Sequence, residues 1–315
     1  MSYQVRGKVR SGAWVAAMCA VLAALAGLRQ GSAQTLSSPQ FRSDANLVLV
    51  PVTVTDARGS NIQGLGVERF TVLEDRQPQP IVAFYADDAP SEIGIVVDVS
   101  GSTKDILQQE KAAVRAFLEF SNPQDEFFLM TVSSKPQVQA DRVIDPREIE
   151  SLLQWKNSGG ATALSDTVYL ALHRTRLASK SRRALLVISD GMDNHSQYSK
   201  KEVLREVLES DTQIYTIGLN NPGVNVKGIP MAEVQRGLAF LDDLAETSGG
   251  LSVRLRSSDN PSAAIARISS AIRSQYVIGY RSPHSGQAEQ WHRIQVKVDL
   301  HKANVYARSG YQLLR

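Results

Sequence analysis

Residues 93–102 read Ile93-Gly-Ile-Val-Val-Asp98-Val-Ser100-Gly-Ser102. An apolar run ends in one acid and two hydroxyls, and an amphipathic stretch follows. The run fits a central parallel strand covered on both faces. Ile106, Leu107, Ala113, Val114, Phe117 and Leu118 form a stripe that predicts a helix behind it. A strand ending in oxygen donors before a helix is where an α/β sheet presents a hard metal ion.

Downstream the rhythm repeats. Strands are expected at 127–132, 184–188, 214–217 and, at an edge, 251–255. Helices are expected around 146–155, 164–177, 238–247 and 261–273. Another starts at the capping box Ser199-Lys-Lys-Glu202, whose hydroxyl and carboxylate satisfy free amides ahead of Val203, Leu204, Val207 and Leu208. Such alternation predicts an α/β fold: a doubly wound, mostly parallel, six-stranded, Rossmann-like sheet.

On either side of this core the pattern changes to β alone. Leu47-Val-Leu-Val-Pro-Val-Thr-Val-Thr55 is β-branched and partly alternating, turn chemistry follows at 56–60, and 70–73 and 81–85 extend the pattern. Residues 276–280, 292–298 and 305–308 return to strand character. The expected division is an N-terminal β module at 34–90, the α/β domain at 91–275 and a C-terminal β segment at 276–315. The outer segments are expected to pair into one β-sandwich with the α/β domain inserted. Separate terminal modules are the alternative.

Residues 1–33 carry Arg6, Lys8 and Arg10, an uncharged apolar stretch from 13 to 28, and the small residues Gly31-Ser32-Ala33. This is the pattern of a secretory signal peptide. Its apolar segment falls short of the roughly 20 residues that span a bilayer. The expectation is an exported protein, periplasmic or at the cell surface, with no membrane span in the mature chain. Cys19 is the only cysteine and lies in this segment, so no disulfide is expected. Four of the 35 basic residues (Arg6, Lys8, Arg10, Arg29) and none of the 32 acidic ones fall in 1–33, leaving a formal charge of −1 beyond it. With that balance and no basic patch, nucleic acid is not an expected partner.

In a doubly wound sheet, three polar loops should converge at the carboxyl ends of the strands. They are Asp98 with Ser100 and Ser102, then 158–166 (Ser-Gly-Gly-Ala-Thr-Ala-Leu-Ser-Asp), then 189–193 (Ser-Asp-Gly-Met-Asp). Mg²⁺ wants oxygen ligands in near-octahedral geometry, and hydroxyls supply oxygen without adding charge. The ion keeps unneutralised charge, which favours an incoming carboxylate. Gly101, Gly159, Gly160 and Gly191 allow close backbone approach. The competing reading takes Asp98 as a strand-end acid and Ser102 as a helix N-cap.

The set Asp98, Ser100, Ser102, Thr162 and Asp190 resembles the metal-ion-dependent adhesion site of von Willebrand factor type A domains. The wider chain is similar to bacterial VWFA-related proteins, down to Gln275-Tyr-Val-Ile-Gly-Tyr-Arg-Ser-Pro283 and Arg308-Ser-Gly-Tyr311. The resemblance implies that Asp98, Ser100 and Ser102 bind the ion, that Thr162 and Asp190 act directly or through water, and that a partner's Asp or Glu completes the shell. Ala161 and Thr103 depart from the usual pattern without removing a ligand. Asp166 and Asp193 look like acids that orient the loops, with helix capping and turn formation as their other reading.

An enzyme is not expected. G-x-S-x-G, H-E-x-x-H, Walker and dinucleotide motifs are missing. His195, near the third loop, is the one candidate general base for a metal-assisted hydrolase, the alternative function. A structural module whose ion only steadies the loops is a third. The expected function is adhesion-type recognition of a protein partner through Mg²⁺, with Mn²⁺ or Ca²⁺ as other candidates.

Overall fold

The computed structural model describes residues 47–86, 88–101, 107–152, 160–180, 182–220, 230–256, 259–284 and 290–312. The expected leader lies outside them, as do Ser102, Thr103, Gly159 and residues 153–155 of an expected helix.

Strands β1 (Leu47–Thr55), β2 (Phe70–Glu74), β3 (Gln77–Gln79) and β4 (Ile81–Tyr85) come first. The α/β part follows as β5 (Ser91–Asp98), α1 (Leu107–Glu119), β6 (Glu126–Val132), β7 (Gln137–Val143), α2 (Pro146–Leu152) and α3 (Leu164–Thr175). It continues with β8 (Arg182–Ser189), α4 (Lys200–Glu209), β9 (Gln213–Asn220), α5 (Met231–Ser248), β10 (Ser252–Arg256) and α6 (Pro261–Arg273). Last come β11 (Tyr276–Arg281), β12 (Trp291–Val298), β13 (Asn304–Ala307) and β14 (Gly310–Gln312).

The central sheet has the order β10-β9-β8-β5-β6-β7. Its strands are parallel except β7, which runs antiparallel to β6. β5 is buried at all eight positions, as its unbroken apolar run requires. Leu118, Phe117, Ile149, Ile265 and Ile268 of α1, α2 and α6 cover one face. Leu164, Val168, Val203, Val207, Leu241 and Leu244 of α3, α4 and α5 cover the other. The sheet is therefore wound on both faces. Each such side chain contributes about 1.5–3 kcal/mol by leaving water.

Four elements differ from expectation. The sixth strand, β7, was not located by pattern, because six of its seven residues are exposed or half-buried. α5 begins at Met231, seven residues before the apolar stripe that marks 238–247, because its first two turns are largely exposed. β3 and β14, three residues each, escape any periodicity argument.

The flanking strands form two antiparallel sheets, β13-β1-β11-β4 and β14-β12-β2-β3. β1 pairs with β11 through 47–52 and with β13 through 52–55. Pro51 sits where β13 has not yet joined, so its missing N–H breaks no ladder on that side. Val50, Val52, Phe70, Val72, Ile278, Tyr280, Ile294 and Val296 close one shared apolar core. N- and C-terminal segments thus build one β-sandwich around the α/β insertion.

The chain enters the central sheet at β5, runs to β6 and β7 on one side, and then crosses to β8, β9 and β10 on the other. The order reverses between β5 and β8, and Asp98 and Ser189 end those two strands.

Candidate metal centre

Asp98 is fully buried at the last position of β5. Its Oδ1 accepts the Ser100 backbone N–H at 3.0 Å and its Oδ2 accepts the Ser189 hydroxyl at 2.7 Å. Burial, and then the charge of Asp190, push its carboxyl up to about 7, against the pull of Ser100 and Ser189. Ser100 is buried beside it. Asp190, half-buried, accepts the Met192 N–H on Oδ1 at 2.9 Å.

The three loops are bonded to one another. Gly101 N–H donates to Gly160 O at 3.3 Å, joining the first to the second. Thr162, buried, donates its N–H to Asn194 Oδ1 at 2.9 Å, and its carbonyl accepts from the amides of Asn194 and His195. Asp166 Oδ1 accepts the amides of Gln197 and Tyr198 at 2.8 and 2.9 Å, and Asp193 Oδ2 accepts the Ser165 amide at 3.0 Å. Asp193 therefore joins the third loop to the start of α3 and caps that helix, and Asp166 ties the segment after the third loop to α3.

Gly191 has φ +78°, a left-handed conformation that glycine adopts without strain. Its backbone lies so close to Gly237 of α5 that a Cβ on Gly237 would stand 2.5 Å from Gly191 O. The pair of glycines lets the Asp190 loop rest on the helix.

One buried acid was not singled out from the sequence. Glu110, in α1, is fully buried, and neither of its oxygens has a hydrogen-bond partner. Burial first, then the charges of Asp98 and Asp190, hold its carboxyl well above the usual range. It faces the same negative field as the two aspartates. A signal existed: Glu110 interrupts the helical stripe Leu107, Val114, Phe117.

These residues fit a divalent cation. Two carboxylates repel each other among hydroxyl donors, and a dication between them relieves that repulsion. Ser102, the remaining expected ligand, lies outside the described residues. His195, the candidate base, is exposed.

A second cluster lies in the sandwich. Glu74, Asp75, His284 and His292 bring one potential ligand atom each within 4.8 Å of the others, the one such group of three or more His, Cys, Asp or Glu among the described residues. Sequence spacing could not show it, since its two halves are more than 200 residues apart.

Known proteins bear on the α/β part. The model of the von Willebrand factor type A domain matches residues 93–192. No curated protein matches the chain. Among solved structures, an aerotolerance-related membrane protein from Bacteroides fragilis, with multiple mutations to serines, is 17% identical. The alignment covers 58% of this chain and 98% of that one, with a TM-score of 0.48. A von Willebrand factor type A protein from Catenulispora acidiphila is 11% identical over 85% of this chain and 73% of that one, with a TM-score of 0.48. Proximal thread matrix protein 1 from the mussel byssus, with a zinc-occupied MIDAS motif, is 16% identical over 63% and 49%, with a TM-score of 0.46. Residues 93–192, which contain Asp98, Thr162, Asp190 and the parallel strands that carry them, are a von Willebrand factor type A domain.

Proposed function

We propose that this chain is an exported recognition module in which Asp98, Ser100, Ser102, Thr162 and Asp190 hold a divalent ion, Mg²⁺ by preference, that a partner protein's Asp or Glu completes. The observation that carries this reading is the placement of Asp98 and Asp190 at the ends of neighbouring central strands, two like charges brought together in a hydroxyl-rich setting. A hard dication takes such oxygens and prefers to keep part of its shell exchangeable. Bound there, the ion supplies an electrophilic point for an incoming carboxylate.

The protein's own residues do the rest. Ser189 and the Ser100 amide orient Asp98, Asp193 joins the third loop to the second, Asp166 and Asn194 fix the segment that follows the third loop, and Gly191 seats the third loop on α5. Export rests on the charge and apolar pattern of residues 1–33, which we read as a leader ahead of a β module at 34–90, the domain at 91–275 and a closing β segment at 276–315.

The test is calorimetry of Mg²⁺ binding to the wild-type chain and to Asp98→Ala. Binding that is lost in the variant, with circular dichroism unchanged, supports the site, and unchanged affinity rules it out. A pull-down from the native envelope with and without chelator then tests recognition. A partner retained equally in chelator would overturn the ion's role in docking.

A further inference from the structure

The four-residue cluster in the sandwich is unlike the aspartate and hydroxyl set of the α/β domain. Glu74 ends β2 and Asp75 follows it in a turn where both Asp75 and Arg76 have positive φ, +48° and +71°. That left-handed pair is the geometry of a tight hairpin turn, for which Asn-Gly is the usual choice. Here it directs Asp75 back onto β12. The Asp75 amide donates to Arg293 O, Asp75 Oδ1 accepts the Arg293 amide, and Asp75 Oδ2 stands 2.9 Å from His292 Nδ1.

The remaining spacings are similar. Glu74 Oε1 lies 3.8 Å from His292 Nδ1 and 3.9 Å from His284 Nε2, and His284 Nε2 lies 3.8 Å from Asp75 Oδ2. A tetrahedral ion with ligand distances of about 2.0–2.1 Å has ligand–ligand edges of roughly 3.3 Å. Four of the six separations therefore lie within about 0.6 Å of such an edge, and the other two do not exceed 4.8 Å.

Two features of the same side chains bear on this volume. Glu74 and His292 are fully buried, and beside the Oε1 and Nδ1 that face the cluster their second polar atoms, Oε2 and Nε2, have no hydrogen-bond partner. A buried carboxylate with one unsatisfied oxygen is costly unless a cation lies against it. Outside it, Ser282 and Tyr311 donate to Glu74 Oε1 at 2.8 and 3.2 Å, the supporting bonds that orient a ligating carboxylate. The imidazoles of His284 and His292 are stacked, centroids 4.4 Å apart. Parallel rings do not aim both nitrogens at one point, so His284, the more exposed ring, turns on binding.

We infer that Glu74, Asp75, His284 and His292 form a second metal site, for a transition-metal dication such as Zn²⁺, that pins the β2–β3 turn to the C-terminal strands of the sandwich. Imidazole nitrogens select such an ion over Mg²⁺ or Ca²⁺, and four protein donors make the site closed and structural. The site is separate from the aspartate pair that ends β5.

The test uses the whole chain carrying Asp98→Ala, so that the other ion site is disabled, titrated with Zn²⁺ by calorimetry. One equivalent should bind, raise the thermal midpoint and resist displacement by Mg²⁺. Adding His284→Ala should weaken zinc at least about tenfold, with circular dichroism unchanged. Asp75→Asn, which preserves shape, should do the same, so the proposal stays testable if one variant folds poorly. A chain with Asp98→Ala that takes up no zinc, or zinc affinity that neither added substitution changes, would overturn the site.

Discussion

The Ser189 hydroxyl joins the ends of β8 and β5 by donating to Asp98 Oδ2 at 2.7 Å, and its oxygen accepts the Gly191 amide at 2.9 Å. One side chain thus orients the buried carboxylate and the loop that carries Asp190. Ser189→Ala removes both bonds. It should cost about 1–3 kcal/mol of stability and weaken Mg²⁺ binding, measured by urea denaturation and calorimetry. A variant with wild-type ion affinity would show that Asp98 needs no such support.

Stability should depend on pH in a direction set by the buried acids. The Asp98 carboxyl is raised from 3.8 to about 7, and that of Glu110 is also raised. The folded state therefore holds protons that the unfolded chain has released, so stability in chelator should fall as pH rises from about 4 through 7. Divalent ions bind the ionised form, and their stabilising effect should be larger at pH 8 than at pH 5. Thermal midpoints with Mg²⁺ and with chelator across this range check both slopes; a metal-free midpoint that climbs from pH 5 to 8 contradicts the assignment.

Gly237→Ala places a methyl 2.5 Å from Gly191 O and 2.7 Å from Gly191 C. Backbone on both sides leaves nothing flexible to yield. The variant should lose about 1–3 kcal/mol, and the displaced Asp190 loop should bind Mg²⁺ more weakly than wild type. Thermal melts and calorimetry on the same preparation report both effects. A loss of stability with ion affinity intact would separate the glycine pair from the metal centre.

Asp166→Ala should weaken Mg²⁺ about tenfold while leaving the thermal midpoint of the metal-free chain nearly unchanged. Asp166 is partly exposed and bonds the amides of Gln197 and Tyr198 rather than core groups. If it served the helix alone, ion affinity would not respond.

Much of the fold was legible because its strands are either wholly apolar or cleanly alternating. β5 is readable from Ile93 to Val97, and α6 begins and ends where Pro261 and Arg273 mark it. β7 was not, because an edge strand lies half in water and keeps no apolar rhythm. At the metal centre, Asp98 and Asp190 follow recognisable strands, whereas Glu110 hides inside a helical stripe where a charged residue is easily passed over. The histidine and carboxylate cluster was out of reach: Glu74 and His292 meet only because β2 pairs with β12.

The pairing of β1 with β11 and β13 also bears on the order in which the chain folds. β1 to β4 emerge early, yet their partners are translated last, and joining Tyr85 to Val277 through a slack loop of about 190 residues would cost roughly 5 kcal/mol. The inserted domain removes most of that cost, since its own contacts are nearer in sequence and its two ends leave side by side. Loop-closure entropy therefore favours closing the middle of the chain first, with the outer strands zipping together as the last event.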